Sequence, residues 1–238
     1  MYQNKHTLPV GLVPMIFYPV KTLQHFGIKR ALVVTDREGT NATMKMLGSG
    51  KEFGMDFSYK IQEGAGGVSE ALYLAKDFAR PGDEIVCILG DNIFDIGAID
   101  NQVKLDENTK ACVWLKHVDN PRAYGVAQVE NEKVVEIVEK PENPASDLAV
   151  VGLYMFDYDV FNTIDTTSPS ERGELEISSV NDYYAKQGKL AYKMVNGYWG
   201  DAGGSIQRYA ECNMHGAKEA KVSAQEIDTF RSIVFDDK

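Results

Sequence analysis

Short apolar runs alternate with helix-like stretches through the first half of the chain, and that alternation predicts an α/β fold. Met15, Ile16, Val20, Leu23 and Phe26 recur at helical spacing over residues 14–26, and Gly27 supplies a stop. Residues 30–35 (RALVVT) predict a short buried strand. A helical pattern near 42–47 leads to a strand at 57–61. Residues 68–79 then place Ala71, Leu72, Ala75 and Phe78 on one helix face before Pro81-Gly82 ends the element. Residues 85–89 (IVCIL) are uniformly apolar, which predicts a central strand covered on both faces.

Beyond residue 110 the pattern turns to β structure. Residues 111–116 predict a strand, and 126–129 with 134–138 alternate apolar and polar positions around Asn131-Glu132, the signature of a hairpin. Residues 148–156 (LAVVGLYMF) predict a buried strand, 174–189 an amphipathic helix and 190–195 a further strand. With no repeat, low-complexity tract or linker, the sequence predicts one compact α/β domain over residues 1–238.

Composition changes the picture in two places. At 44% hydrophobic and 25% charged residues, the chain has the balance of a folded globular protein and not of a disordered one. Its net charge of -10 repels nucleic acid and anionic membrane surfaces, so a phosphate-bearing ligand has to be held locally, by a metal or by single cations such as Lys5 and Lys140. Cys87, Cys112 and Cys212 lack metal-ligand spacing, and two of them sit inside apolar strand-like runs where a free thiol packs as a small hydrophobe, which points to a reducing, cytoplasmic setting. No apolar run reaches the length of a membrane span, and the first residues lack a signal pattern.

The candidate chemistry sits where strands end. Residues 85–94 read IVCILGDNIF, an apolar strand closing on a Gly-Asp-Asn cluster. Taken singly, Asp91 reads equally as a turn cap, Glu139-Lys140 as a solvated pair, and Asp201 as the N-cap of the helix after it. Taken together, two carboxylates at the ends of separate strands, a lysine, and glycines that let backbone approach a ligand are what magnesium-assisted phosphoryl or nucleotidyl transfer needs.

The segments NKHTLPV, PMIFYP, LGSGKEFG, AGGVSEAL, LGDNIF, RAYGVA, EKP, AVVGLY, RGELEI and YWGDAG follow one another from about Asn4 to about Tyr209. In that order and spacing the chain resembles the sugar-1-phosphate nucleotidyltransferases, most closely the glucose-1-phosphate thymidylyltransferases. The resemblance implies a Rossmann-like nucleotidyltransferase fold, a mainly parallel sheet with helices on both faces and a sugar-binding β lobe. It implies a nucleotide-binding half over about residues 1–110, a sugar-binding half over about 111–210, and a helical tail over about 211–238. The implied reaction takes dTTP, or UTP, and a hexose 1-phosphate such as glucose 1-phosphate to dTDP-glucose and pyrophosphate, with Mg²⁺ and in a homo-oligomer. Position by position, Asp91 and Asp201 match the magnesium ligands, Lys5 and Lys140 the phosphate-binding lysines, and Gln62 and Gly67 the readers of the pyrimidine edge. Glu139 matches the residue that bonds sugar hydroxyls, and Asn92, Gly125, Val150, Gly152 and Glu174 fall in the sugar pocket.

The departures from the family pattern carry expectations of their own. A first strand and a GGxGTRLxPxT loop would precede Met1, with an arginine that stabilises the triphosphate. Without that strand, the strands at 30–35 and 85–89 close on each other, another chain fills the gap, or the sequence is a fragment. Without that loop, residues 1–238 are expected to release little pyrophosphate, since removing even one such electrostatic group lowers the rate by about 10²–10³. A non-catalytic sugar- or nucleotide-binding or assembly protein on the same fold is the alternative reading. The family's D-T-G-T-H is written Asp201-Ala202-Gly203-Gly204-Ser205, and Val151 and Ser179 replace a threonine and an acid.

Overall fold

The structure, a computed structural model, describes residues 4–170 and 172–218. In chain order the elements are β1 (Pro9–Val10), β2 (Val13–Pro14), α1 (Phe17–His25), β3 (Arg30–Thr35), α2 (Thr40–Leu47), β4 (Asp56–Ile61), α3 (Val68–Tyr73), β5 (Glu84–Ile88) and β6 (Asn92–Phe94). They continue with β7 (Ala111–His117), β8 (Gly125–Glu130), β9 (Lys133–Glu139), β10 (Leu148–Asp157), α4 (Val160–Thr166), α5 (Ile177–Lys186), β11 (Leu190–Met194), β12 (Trp199–Asp201) and α6 (Ile206–Lys218). The chain divides into two compact units that interleave in sequence. One holds residues up to Ile61, Leu89–Ile96 and the chain from Tyr198; the other holds Gln62–Ile88 and Gly97–Gly197. Of the expected helical tail, α6 is described to Lys218, and residues 219–238 lie outside the described residues.

Local chemistry sets several boundaries. α1 ends in a Schellman motif: Gly27 takes φ 72°, its N–H bonds Gln24 O at 2.9 Å, and the next N–H bonds Leu23 O at 3.1 Å. The β8–β9 hairpin turns through Asn131 and Glu132, both left-handed at φ 49° and 62°, the geometry of a two-residue primed turn. α3 stops at Tyr73, short of the expected residue 79, and Ala75 and Phe78 instead close tighter turns onto Leu72 and Ala75. α5 begins at Ile177, not 174, because the preceding backbone is already committed: Ser170 N–H bonds Glu174 O, and Leu175 exchanges bonds with Gly66 and Ser69. α4, β1, β2, β6 and β12 carry too few residues for periodicity to reveal.

In the first unit β3 pairs β4 in parallel, β1 pairs β2, and β6 pairs β12 antiparallel. Val10, Met15, Ile93, Ala202 and Cys212 form one buried cluster, and Val13, Phe17, Val20, Leu47 and Met55 another. The second unit is built on a sheet of order β11-β7-β10-β8-β9, with β5 also on β10. β10 lies along β7 on one edge, while its other edge takes β8 at Ala149 and β5 at residues 153–157. Trp114, Phe156, Phe161, Leu115, Leu153 and Val180 are fully buried there.

The α/β class expected from the sequence holds, with a mixed sheet in place of a mainly parallel one: among the described residues only β11–β7 and β3–β4 are parallel pairs. β5, expected to be central and covered on both faces, has β10 as its one strand partner among the described residues, and none of its residues is fully buried. Among the described residues β3 is likewise paired on one edge, by β4.

Candidate active site

Asp91 follows β5 and precedes β6, and Asp201 ends β12; because β6 and β12 pair, the two carboxylates are brought to neighbouring strands. Ala202 N–H bonds Asp91 O at 2.9 Å, fixing the two strand ends to each other. The Asp91 carboxylate faces Gly203, the Asp201 carboxylate faces Gly204, and a side chain at either glycine would fall on the oxygen beside it. Each carboxylate carries its own cation. Lys5 Nζ donates to Asp91 Oδ2 at 2.6 Å, and Arg208 Nη1 donates to Asp201 Oδ2 at 3.0 Å.

The two acids are shifted in opposite directions. Burial pushes the Asp91 carboxyl up, but the adjacent Lys5 ammonium, with help from His6 and Asn92, outweighs it and holds the group below the ordinary carboxylate range. Burial and then the Asp91 charge push Asp201 above that range, and Arg208 and Lys5 only partly offset them. His6 packs over Gly90, and burial lowers its pKa against the pull of Asp91. Asn92 is buried, donating to Asp91 Oδ1 at 3.1 Å and accepting from Trp199 Nε1 at 2.7 Å.

The remaining sequence-selected residues lie in the second unit. Gln62 follows β4 and donates through Nε2 to Gly67 O at 3.0 Å and Glu70 Oε2 at 2.6 Å. Gly67 takes φ 90° and ψ 177°, a conformation reserved for glycine, and a Cβ there would stand 2.7 Å from Leu175 O. Glu139, the last residue of β9, accepts from Ser178 Oγ and lies 3.5 Å from Arg172 Nη2 and 3.6 Å from Lys140 Nζ. Gly125 pairs with Glu139 across the hairpin; a Cβ at Gly125 would stand 2.6 Å from Ser178 Oγ, so glycine makes room for the Ser178–Glu139 bond. Lys140 is left-handed at φ 43°, which is uncommon outside glycine, and lines a cavity of 510 Å³ with Arg122, Pro141, Glu142 and Asn143. Val150 and Gly152 lie in β10, where the register with β7 shifts between Val150 and Tyr154. Glu174 is half-buried just before α5, but the buried acid of that segment is Glu176, which accepts from Arg172 at 2.7 Å and Ser170 Oγ at 2.9 Å.

Sequence reading missed Arg208, Glu70, Arg122, Arg172, Glu176 and Ser178. Arg172 and Glu176 are legible in hindsight, four apart within RGELEI, a charge spacing that places the two side chains within reach. Arg208 gives no signal, because its approach to Asp201 is set by the turn between β12 and α6 and not by a motif.

The divalent cation implied by the resemblance takes oxygen ligands, one or two of them carboxylates. Asp91 and Asp201 supply hard oxygen donors facing adjacent glycines of one turn, and Asp201 feels the charge of Asp91, so the donor set fits. Among the described residues no cluster of three or more His, Cys, Asp or Glu side chains could add to it.

Comparison with known proteins defines the class. A nucleotidyl transferase family profile matches residues 1–219, and the chain belongs to that family. Its relatives include the glucose-1-phosphate thymidylyltransferase of Neisseria meningitidis, 37% identical over 206 residues that span 84% of this chain and 71% of that one. The thymidylyltransferase of Neisseria gonorrhoeae is 36% identical over 205 residues, with the same coverage of 84% and 71%. A crystal structure from Bacillus anthracis, provisionally assigned as a glucose-1-phosphate thymidylyltransferase and solved with sucrose, superposes with a TM-score of 0.83 at 40% identity, covering 94% of this chain and 90% of its own. UDP-glucose pyrophosphorylase in complex with UDP-glucose shares the fold, with a TM-score of 0.74 at 22% identity over 90% of each chain. Among the described residues no helix is long and apolar enough to cross a membrane.

Proposed function

We propose that this chain transfers a thymidylyl or uridylyl group to a hexose 1-phosphate, with dTTP and glucose 1-phosphate as the preferred pair. An oxygen of the sugar phosphate attacks the α-phosphorus, and the bond to the bridging oxygen breaks, so that pyrophosphate leaves with the electron pair. The observation that carries the reading is that Asp91, Asp201 and Lys5 all face the glycines of the turn after Asp201, in a chain of the nucleotidyl transferase family. In this reading Asp91 and Asp201 hold Mg²⁺, which when bound offsets phosphate charge. Lys5 and Lys140 bind phosphate oxygens, Gln62 and Gly67 seat the pyrimidine, and Glu139, Gly125, Val150, Gly152, Glu174 and Asn92 serve the sugar. The three free cysteines go with a reducing, cytoplasmic setting, and a homo-oligomer is part of the proposal.

One observation favours a second reading, a sugar- or nucleotide-binding protein without turnover. Lys5 and Arg208 already neutralise the two carboxylates, so a metal has to compete with cations of the chain itself. Pyrophosphate release from dTTP and glucose 1-phosphate with Mg²⁺, together with calorimetric binding of each substrate, separates the two. Release that needs both substrates and disappears in Asp91→Asn supports transfer. Binding of both without release supports the second reading, and binding of neither sinks both.

A further inference from the structure

The side chain of Gln62 is held in one orientation. Its amide nitrogen sits 3.0 Å from Gly67 O and 2.6 Å from Glu70 Oε2, and a carbonyl and a carboxylate can only accept. Both N–H bonds of the amide are therefore consumed, and a flipped amide would set its oxygen against two acceptors. The opposite end, Oε1, carries no hydrogen bond among the described residues.

The frame around this arrangement is rigid. Leu175 N–H bonds Gly66 O at 2.9 Å and Ser69 N–H bonds Leu175 O at 3.1 Å, which pins the 66–69 segment at both ends. Gly67 packs against the same Leu175 carbonyl. At Gly66 the missing side chain leaves the space that the Glu70 carboxylate occupies, so any larger residue there would push the carboxylate off Gln62.

We infer that Glu70 is a positioning residue for base selection: it fixes the Gln62 amide so that the ligand meets a carbonyl oxygen and not an amide N–H. This rests on the reading of Gln62 as the residue that seats the pyrimidine. An acceptor at that point is complementary to the ring N3–H of thymine or uracil. Cytosine carries a lone pair on N3, so oxygen and lone pair face each other and one buried group is left unpaired. Glu70 itself touches no base. Its carboxylate acts through Gln62, and the polarity it imposes extends the reading from a pyrimidine site to a site for pyrimidines with an imide N–H.

The test compares dTTP, UTP and CTP binding by calorimetry in the full chain, for the wild type and for Glu70→Ala, Glu70→Gln and Gln62→Ala. The wild type is expected to bind dTTP and UTP more tightly than CTP. Glu70→Ala frees one amide hydrogen and should narrow the dTTP-to-CTP ratio by about tenfold, the worth of one hydrogen bond in binding. Glu70→Gln can still accept from Gln62 through its own carbonyl and should keep most of the ratio, which also guards against a folding defect in the alanine variant. A second readout needs no nucleotide: the Gln62 side-chain ¹⁵NH₂ protons should be slow to exchange in the wild type and faster in Glu70→Ala. If Gln62→Ala abolishes the preference but Glu70→Ala leaves both the ratio and the exchange unchanged, the role of Glu70 is overturned while the base site stands. If Gln62→Ala leaves dTTP binding and the preference intact, the base reading itself fails.

Discussion

Lys5 Nζ lies 2.6 Å from Asp91 Oδ2 across 86 positions of sequence, and Gly203 closes over the pair with no side chain of its own. The two are unequal partners: the lysine side chain is half exposed and the carboxylate is mostly buried. Lys5 is what keeps the Asp91 acidity on the low side of normal, since burial alone pulls the other way.

Lys5→Ala should therefore reverse the shift and carry the Asp91 pKa above its ordinary value, followed by carboxyl ¹³C shifts during an acid titration. The stability sign reverses with it. In the wild type the lowered Asp91 contributes stability that is present above the unfolded carboxylate range and is lost as pH falls through the folded value. In the variant the folded group binds its proton more tightly than the unfolded one, so acidification should favour the fold at this group. At neutral pH the stranded carboxylate should cost about 1–3 kcal/mol in a urea melt.

Gly204 and Arg208 form a linked pair through Asp201. A Cβ at Gly204 would fall on the Asp201 oxygen and stand 2.5 Å from Arg208 Nη1, so Gly204→Ala should displace the guanidinium. Arg208→Ala should have the same effect by deletion. Both variants are expected to bind Mn²⁺ with dTTP about threefold to tenfold more tightly, in line with a competing cation worth roughly 1 kcal/mol. The double variant should add little to either one, which electron paramagnetic titration of free Mn²⁺ would read. Full additivity would mean that the two residues act separately.

Gly67 and Gly64 offer a matched comparison. Both have positive φ, at 90° and 81°, but only Gly67 also faces a backbone atom, the Leu175 carbonyl, whereas nothing lies within 4 Å of a Cβ at Gly64. Gly64→Ala should cost about 1 kcal/mol, from backbone conformation alone. Gly67→Ala should cost more, about 2–4 kcal/mol, and weaken dTTP binding as the 66–69 segment moves off Leu175. Equal midpoints in urea would show that the Leu175 contact yields easily.

The turn of the β8–β9 hairpin holds Glu132 in the left-handed region, where a side chain is disfavoured. Glu132→Gly creates the Asn-Gly pair preferred in this turn and should raise stability by about 0.5–1 kcal/mol, measured by thermal and urea midpoints. A neutral or negative result would point to a compensating contact of the Glu132 side chain.

Much of the fold is legible in the chain because its causes are local. The strand at residues 30–35 is read to the residue, Gly27 marks the end of α1 through its left-handed φ, and Asn131-Glu132 marks the hairpin. Strong β patterning over residues 111–156 likewise locates β7 to β10, since alternation and continuous hydrophobicity are properties of neighbours in sequence. The helix expected to residue 79 stops at Tyr73, where local tighter turns take over, and the one expected from 174 starts at Ile177, where Leu175 is already bonded to the distant Gly66 and Ser69. The apolar run at 85–89 overstates the burial of β5 for a related reason: such a run records what could be covered, while the number of strand partners depends on residues far away in sequence.

The candidate site divides in the same way. By itself the sequence determines the residue types, the family, and that Asp91, Asp201, Lys140, Gln62 and Gly67 stand at strand ends and turns. Only the tertiary structure decides that Lys5 belongs to Asp91, that Arg208 reaches Asp201 through the space left by Gly204, and that Glu70 fixes which end of the Gln62 amide a ligand meets. Pattern along a chain encodes which faces seek burial, whereas the charge and hydrogen-bond polarity of a site depend on ångström-scale approach between side chains that folding alone brings together.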